Sequence, residues 1–298
     1  MTDSLSTKFK VLDRSLSEAA FRSVNLENPF NLTSKQAKEI AAVIGCDYFL
    51  LIRSGTLRRS SFAKPEYNES YATIFVVSGR TGRLVFWDLK TFEADSPAGS
   101  EKSLYGSGAN FAVEIADKIL SARAGETAEN PGPAIDEVPV EGSPEARNFR
   151  PPLPYRRIKP EYTREAYLYD IRATVDILVD IDETGGVVRT EIVRWAGFGL
   201  DASVVNAVRK MNWRAAERNG RTLPMRVLLR YNFMKIEKDQ TASPAKGSSV
   251  YFDGNYSCFV PIRIFYCFDS GAVLVLADNH PVHPQQTTLE TGPVTPLG

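Results

Sequence analysis

Cysteine and histidine are scarce in this 298-residue sequence, and their scarcity closes off several kinds of chemistry. Three cysteines, Cys46, Cys258 and Cys267, are too few for a disulfide framework and lack the short paired spacing of a structural zinc site. Cys258 and Cys267 flank residues 259–266, which read as one strand. A strand of that length sets its ends roughly 30 Å apart, and a disulfide tolerates a Cα separation of only about 7 Å, so the spacing argues against that pair. His280 and His283 lie among prolines in a polar terminus with no third ligand beside them, so no metal site is expected.

Net charge is also missing. The 36 basic and 36 acidic side chains cancel, so no overall field draws the chain to nucleic acid, which is not an expected partner. No window reaches the roughly 18 consecutive apolar residues of a membrane span, and the opening MTDSLSTKFKVLD lacks the apolar core of a signal peptide. A nucleophile with its base, paired acids and a glycine-rich phosphate loop are all lacking, so no catalytic residue, cofactor or small-molecule substrate is expected. Asp13-Arg14 reads as a turn cap or ion pair.

What is present is an ordinary globular composition, 43% hydrophobic and 24% charged, at a length that suggests roughly two domains. Residues 9–12 read as a short strand. Ser15 with Glu18, and Thr33 with Gln36, form capping-box patterns that open helices. The second helix places Ala37, Ile40, Ala41 and Ile44 on one face and ends at Gly45. Residues 48–52 are continuously apolar, the mark of a strand covered on both faces. Strands at 71–77 and 84–89 flank a hairpin loop at 78–82, and Phe111, Ile115 and Ile119 line a helix over about 110–122. Together these make a small α/β domain over residues 1–123.

Residues 124–149 shift to proline, glycine, alanine and acid. From Glu126 to Glu145 six carboxylates stand with no lysine or arginine among them, the composition of a flexible acidic linker. Beyond it, residues 163–169 form a short helix. Ala173, Val175, Ile177, Val179 and Ile181 then alternate with polar residues as a half-buried strand. Residues 182–186 turn the chain into a hairpin partner at 187–195. Asp201 is expected to cap the next helix, with Leu200 and Val205 as a hydrophobic staple. Asn219-Gly220 turns the chain again into an alternating strand over 223–233, with Arg226 and Arg230 on its polar face. The expected class is α+β. A tail over 237–298 carries a polar end and further candidate strands at 250–252, 259–268 and 272–277; whether these add to the preceding sheet and occupy its edge, which would oppose peptide binding there, stays open at this point.

Two family resemblances follow. FKVLDRSLSEAAF, KEIAAVIGCDYFLLIRSG and VSGRTGRLVFWDLK, within residues 8–122, resemble the small envelope domains of the curli-secretion and TolB amino-terminal kind. Such domains begin with a further strand and helix, so the resemblance implies an upstream segment that could carry an export signal. KPEYTREA, VDILVDIDETGGVVRTEIVRWAG and GLDASVVNAVRKMNWRAAERNGRTLPMRVLLRYNF, over about residues 150–236, resemble the TonB carboxy-terminal domain family, with Trp213, Ala216, Asn219-Gly220, Pro224 and Phe233 matching its pattern. Ala215 stands where proline is usual, and Arg172-Ala173 where glycine is common. These departures bear on loop and first-strand geometry.

The second resemblance implies a non-enzymatic, periplasmic or inner-membrane-associated interaction module that supports transmembrane transport. Its partner would be an extended peptide of an outer-membrane TonB-dependent transporter or another envelope protein, with a second copy of the chain also a candidate. An edge strand offers unpaired backbone groups to such a peptide. Arg226, Leu228, Arg230 and Asn232 are then the expected partner-binding positions, and Trp195, Trp213 and Phe233 the core. The alternatives are a structural envelope scaffold without energy transduction, or an enzyme sited in the amino-terminal α/β domain.

Overall fold

The computed structural model describes residues 5–24, 26–128, 135–140 and 142–235, together with two later strands, 262–268 and 276–277. The fold is α+β and is built on two principal antiparallel sheets.

Helices α1 (Arg14–Ser23) and α2 (Ser34–Ile44) lead into β1 (Tyr48–Arg59), β2 (Tyr67–Ser78) and β3 (Leu84–Ala94), followed by α3 (Pro97–Gly106) and α4 (Gly108–Ala128). The Thr33–Gln36 capping box closes in both directions, and Gly45 ends α2 in the left-handed region at φ 76°. The strand expected at 9–12 does not form; Val11 makes a lone bridge. α1 starts at Arg14, one residue before the expected Ser15 signal. The Asp13 carbonyl accepts both the Ser17 amide and its hydroxyl, so Ser15 falls inside the first turn. α4 runs to Ala128, past the point where its apolar spacing stops and the acidic stretch was expected to begin.

β1 alternates between two cores. Phe49 and Leu51, with Phe75 and Val77 of β2, face one apolar cluster; Tyr48, Leu50 and Ile52, with Ile74 and Val76, face another built on Phe111, Ile115 and Ile119 of α4. This is why residues 48–52 are continuously apolar: each face of the strand has its own cover.

The second sheet consists of β6 (Ala173–Ile181) between β7 (Val187–Arg194) and β11 (Met225–Phe233). Between them run α6 (Leu200–Arg209) and the short strands β8 (Trp213–Arg214), β9 (Ala216–Arg218) and β10 (Arg221–Leu223). β9 pairs with both β10 and β4 (Phe149–Arg150), β8 pairs with β5 (Leu153–Pro154), and α5 (Arg164–Leu168) precedes β6 with Thr163 as its cap. The β6–β7 turn is tied by Asp182, whose Oδ1 accepts from the amides of Thr184 and Gly186, both at 2.8 Å. Gly185 there has φ 88°, and a Cβ on it would lie 2.0 Å from the Trp213 carbonyl oxygen, so only glycine fits.

Val175, Ile177, Val179 and Ile181 of β6 share one cluster with Phe49, Leu51, Phe75 and Val77 of the first sheet. The two sheets are therefore fastened to one core, although a change of composition separates them in the sequence. Trp195 and Trp213 are 1% and 3% exposed within it, and Phe233 is buried at its margin.

The strand β12 (Ile262–Phe268) pairs with β1, and β13 (Leu276–Ala277) pairs with β12. The two described tail strands thus join the first sheet and not the preceding one: β1 has a free side opposite β2, and β12 takes it. The candidate strand at 250–252, Cys258, His280 and His283 lie outside the described residues.

Candidate functional site

The edge of β11 is the candidate site, and its backbone orientation follows from pairing. β11 is matched to β6 without interruption from Met225↔Ile181 to Phe233↔Ala173. In an antiparallel pair alternate residues turn their N–H and C=O away from the partner. The Arg226 amide bonds outward, to the Asp136 carbonyl at 2.8 Å. The amides of Leu228, Arg230 and Asn232 therefore also point outward, and no partner meets them among the described residues. The four positions expected from sequence thus share one edge and one face. Leu228 is 56% exposed.

That face carries an ionic lattice. Arg226 grips Asp180 with two bonds, Nε to Oδ1 at 2.6 Å and Nη2 to Oδ2 at 2.8 Å. Arg230 grips Asp176 in the same way at 2.7 and 3.0 Å, and Arg194 of β7 adds a third bond at 3.1 Å. Both aspartates are buried while Arg230 stays largely in solvent. Burial alone would push the Asp176 carboxyl up, but Arg230 and Arg194 outweigh it and hold it below the ordinary range. The bonds to Asp180 raise Arg226, and those to Asp176 raise Arg230. Asn232 accepts from the Thr174 hydroxyl at 2.9 Å. The guanidiniums are thus committed within the sheet, and what the edge holds out to a partner is its backbone and the Leu228 side chain.

Asp176 and Asp180 were not anticipated as partners, although the signal was present. Both strands carry charges four residues apart on one face, so antiparallel pairing brings Arg226 to Asp180 and Arg230 to Asp176.

The opposite edge, β7, is covered at its Arg194 end. Thr33 bridges Arg194, and the Trp195 amide donates to the Leu32 carbonyl at 3.3 Å. The Asn31 side chain donates to the carbonyls of Thr174 and Trp195 at 2.7 and 2.8 Å and accepts from the Thr174 amide at 3.0 Å. Nothing in the local pattern around Asn31 marks it for this role, since its partners lie more than 140 residues away. Arg83, from the β2–β3 turn, bonds to Glu191 at 2.8 Å. A cleft of about 280 Å³ opens there, lined by Arg83, Arg189, Glu191, Trp195 and Asp201, and both arginines bond to Glu191.

Asp201 does not cap its helix. Gly199, at φ 72°, holds the cap position, and the Asp201 carboxylate turns back to accept from the amides of Ala196 and Gly197 at 2.9 and 2.8 Å. Burial nevertheless pushes its carboxyl up to about 6. Among the described residues no group of side chains could hold a metal ion, and no helix is long and apolar enough to cross a membrane.

Residues 158–234 match the family model described as Gram-negative bacterial TonB protein C-terminal. The match spans α5 to the end of β11 and includes the whole three-stranded sheet with its edge. It covers about a quarter of the chain. No curated protein matches the chain.

Proposed function

We propose that this protein is a docking module of the cell envelope that receives an extended peptide as an added strand along β11. The single observation that carries the reading is the outward row of backbone donors at Leu228, Arg230 and Asn232, which no described residue meets beyond the Arg226 rung. An extended segment laid there gains main-chain hydrogen bonds, while contact with Leu228 selects its side chains.

The family match on residues 158–234 supports an envelope interaction role in energy-coupled transport, and that family is one of non-enzymatic interaction domains. In this reading the partner is a segment of an outer-membrane TonB-dependent transporter, and the protein acts in the periplasm. The first sheet is the support on which the docking sheet is mounted, through Asn31, Trp195 and the shared apolar cluster.

Titration with transporter plug peptides, followed by NMR, tests this. Amide shifts should concentrate at residues 226–232. Proline at Leu228 removes an outward donor without touching the β6 ladder, so Leu228→Pro should weaken binding at least about three- to tenfold in a folded protein. Unchanged binding by that variant would sink the proposal.

A further inference from the structure

The first rung of the β11 edge is already taken by the chain itself. Residues 135–140, within the acidic stretch, run alongside the start of β11. The Arg226 amide bonds to the Asp136 carbonyl, and Glu137 forms a parallel bridge with Arg226. Glu137 also adds its charge, behind the larger effect of Asp180, to the field that raises Arg226. This is strand addition stopped after one residue.

The pairing goes no further among the described residues, and Val138 and Val140 remain exposed. Continued in the same parallel register, residue 139 would fall opposite Leu228 and residue 141 opposite Arg230. Position 139 is proline. In that register its nitrogen faces away from β11, so proline does not forbid the pairing, but it denies a donor to any further strand outside it.

We infer that residues 135–140 are a resident competitor for this edge: an extended acidic segment that holds the Arg226 position and must leave before an incoming peptide pairs along the full run of outward donors. The inference rests on the docking reading and assigns that site its regulation. Because the competitor is tethered, its effective concentration is high, and even one hydrogen-bonded rung lowers the apparent affinity of a peptide.

The experiment compares the full chain with a variant in which residues 135–140 are replaced by a glycine-serine segment of equal length. Two readouts are used. Amide exchange at Arg226 should be slower than at Leu228 in the parent protein and should accelerate in the variant. A synthetic peptide of residues 133–143, added in trans, should bind the variant about three- to tenfold more tightly than the parent, the range that one net backbone hydrogen bond supports.

Equal or weaker binding to the variant overturns the inference, as does parent Arg226 exchanging as fast as Leu228. A transporter-derived peptide titrated into the same two proteins reads the docking proposal separately. Equal binding to both keeps docking and removes the competitor. No binding to either, with Arg226 protection still dependent on residues 135–140, removes docking and leaves a resident strand.

Discussion

Along β7 the three-stranded sheet ends against Leu32, Thr33, Asn31 and Arg83, all from the first half of the chain, and its last residue leads into a tryptophan sunk in a shared core. Along β11 the same sheet ends in outward amides and an arginine–aspartate lattice, its backbone met only at Arg226, by an acidic segment, among the described residues. Two edges of one sheet thus meet different surroundings. An exposed edge invites any passing strand, and this protein closes one edge at its Arg194 end with a neighbouring module while the other runs beside the arginine–aspartate lattice. The closed edge fixes where the open one points.

The largest expected effect lies on the closed side. Trp195→Ala should destabilise by about 3–5 kcal/mol, the usual result of emptying a large aromatic site. Because Trp195 packs on Phe75 of the first sheet with ring centroids 5.6 Å apart, both sheets should lose protection together in hydrogen exchange under denaturant. Independent unfolding of the first sheet at its original midpoint would break the idea of one shared core.

Gly197→Ala comes next. Its φ is 69°, and a Cβ would lie 2.6 Å from ring atoms of both Phe75 and Trp87, so strain and overpacking together should cost about 2–4 kcal/mol. Gly220→Ala supplies the contrast. Its φ is 78° but a Cβ there meets nothing within 4 Å, so only the conformational term of about 1–2 kcal/mol remains. Chemical denaturation of the two variants should show that difference, and equal losses would deny the close packing at Gly197.

The two sides should also answer pH with opposite signs. Asp201, on the closed side, is raised to about 6. Between the unfolded value of about 3.9 and that point the folded state keeps a proton the unfolded chain has released, so stability falls as pH rises, by up to about 3 kcal/mol. Asp176, on the open face, is lowered. Its contribution is present above the unfolded value of about 3.9 and is lost as pH falls through the folded one. Denaturation midpoints over pH 2–8 should therefore flatten between about 4 and 6 in Asp201→Asn and show a smaller acid-side drop in Asp176→Asn.

The smallest effect on stability belongs to Leu228→Pro. Its amide bonds nothing in the sheet, so the cost should stay within about 1 kcal/mol. Val227→Pro, one residue away, removes a rung of the β6 ladder and should cost about 3 kcal/mol or more. Similar melting shifts for the two would mean that the outward orientation is wrong.

Much of the candidate site was legible because it is local. Alternation over 173–181 and 223–233 gave the faces, Asn219-Gly220 gave the turn, and Arg226, Leu228, Arg230 and Asn232 were already one row. The helix cap at Asp201 was misread for a physical reason: an aspartate in a first turn can satisfy amides ahead of the helix as well as those within it, and here Ala196 and Gly197 needed it more.

The amino acids by themselves determined which residues alternate, where the chain turns and which charges share a face, since those follow from periodicities of two and 3.6 and from a few turn-forming residues. Only the tertiary structure decided which apolar face met which, that β12 would join β1, that Asn31 would close β7, and that residues 135–140 would settle beside Arg226. A strand's pattern states that it has a face to bury and an edge to pair. It does not encode the partner, because shape and the pairing of unsatisfied groups across a hundred or more residues make that choice.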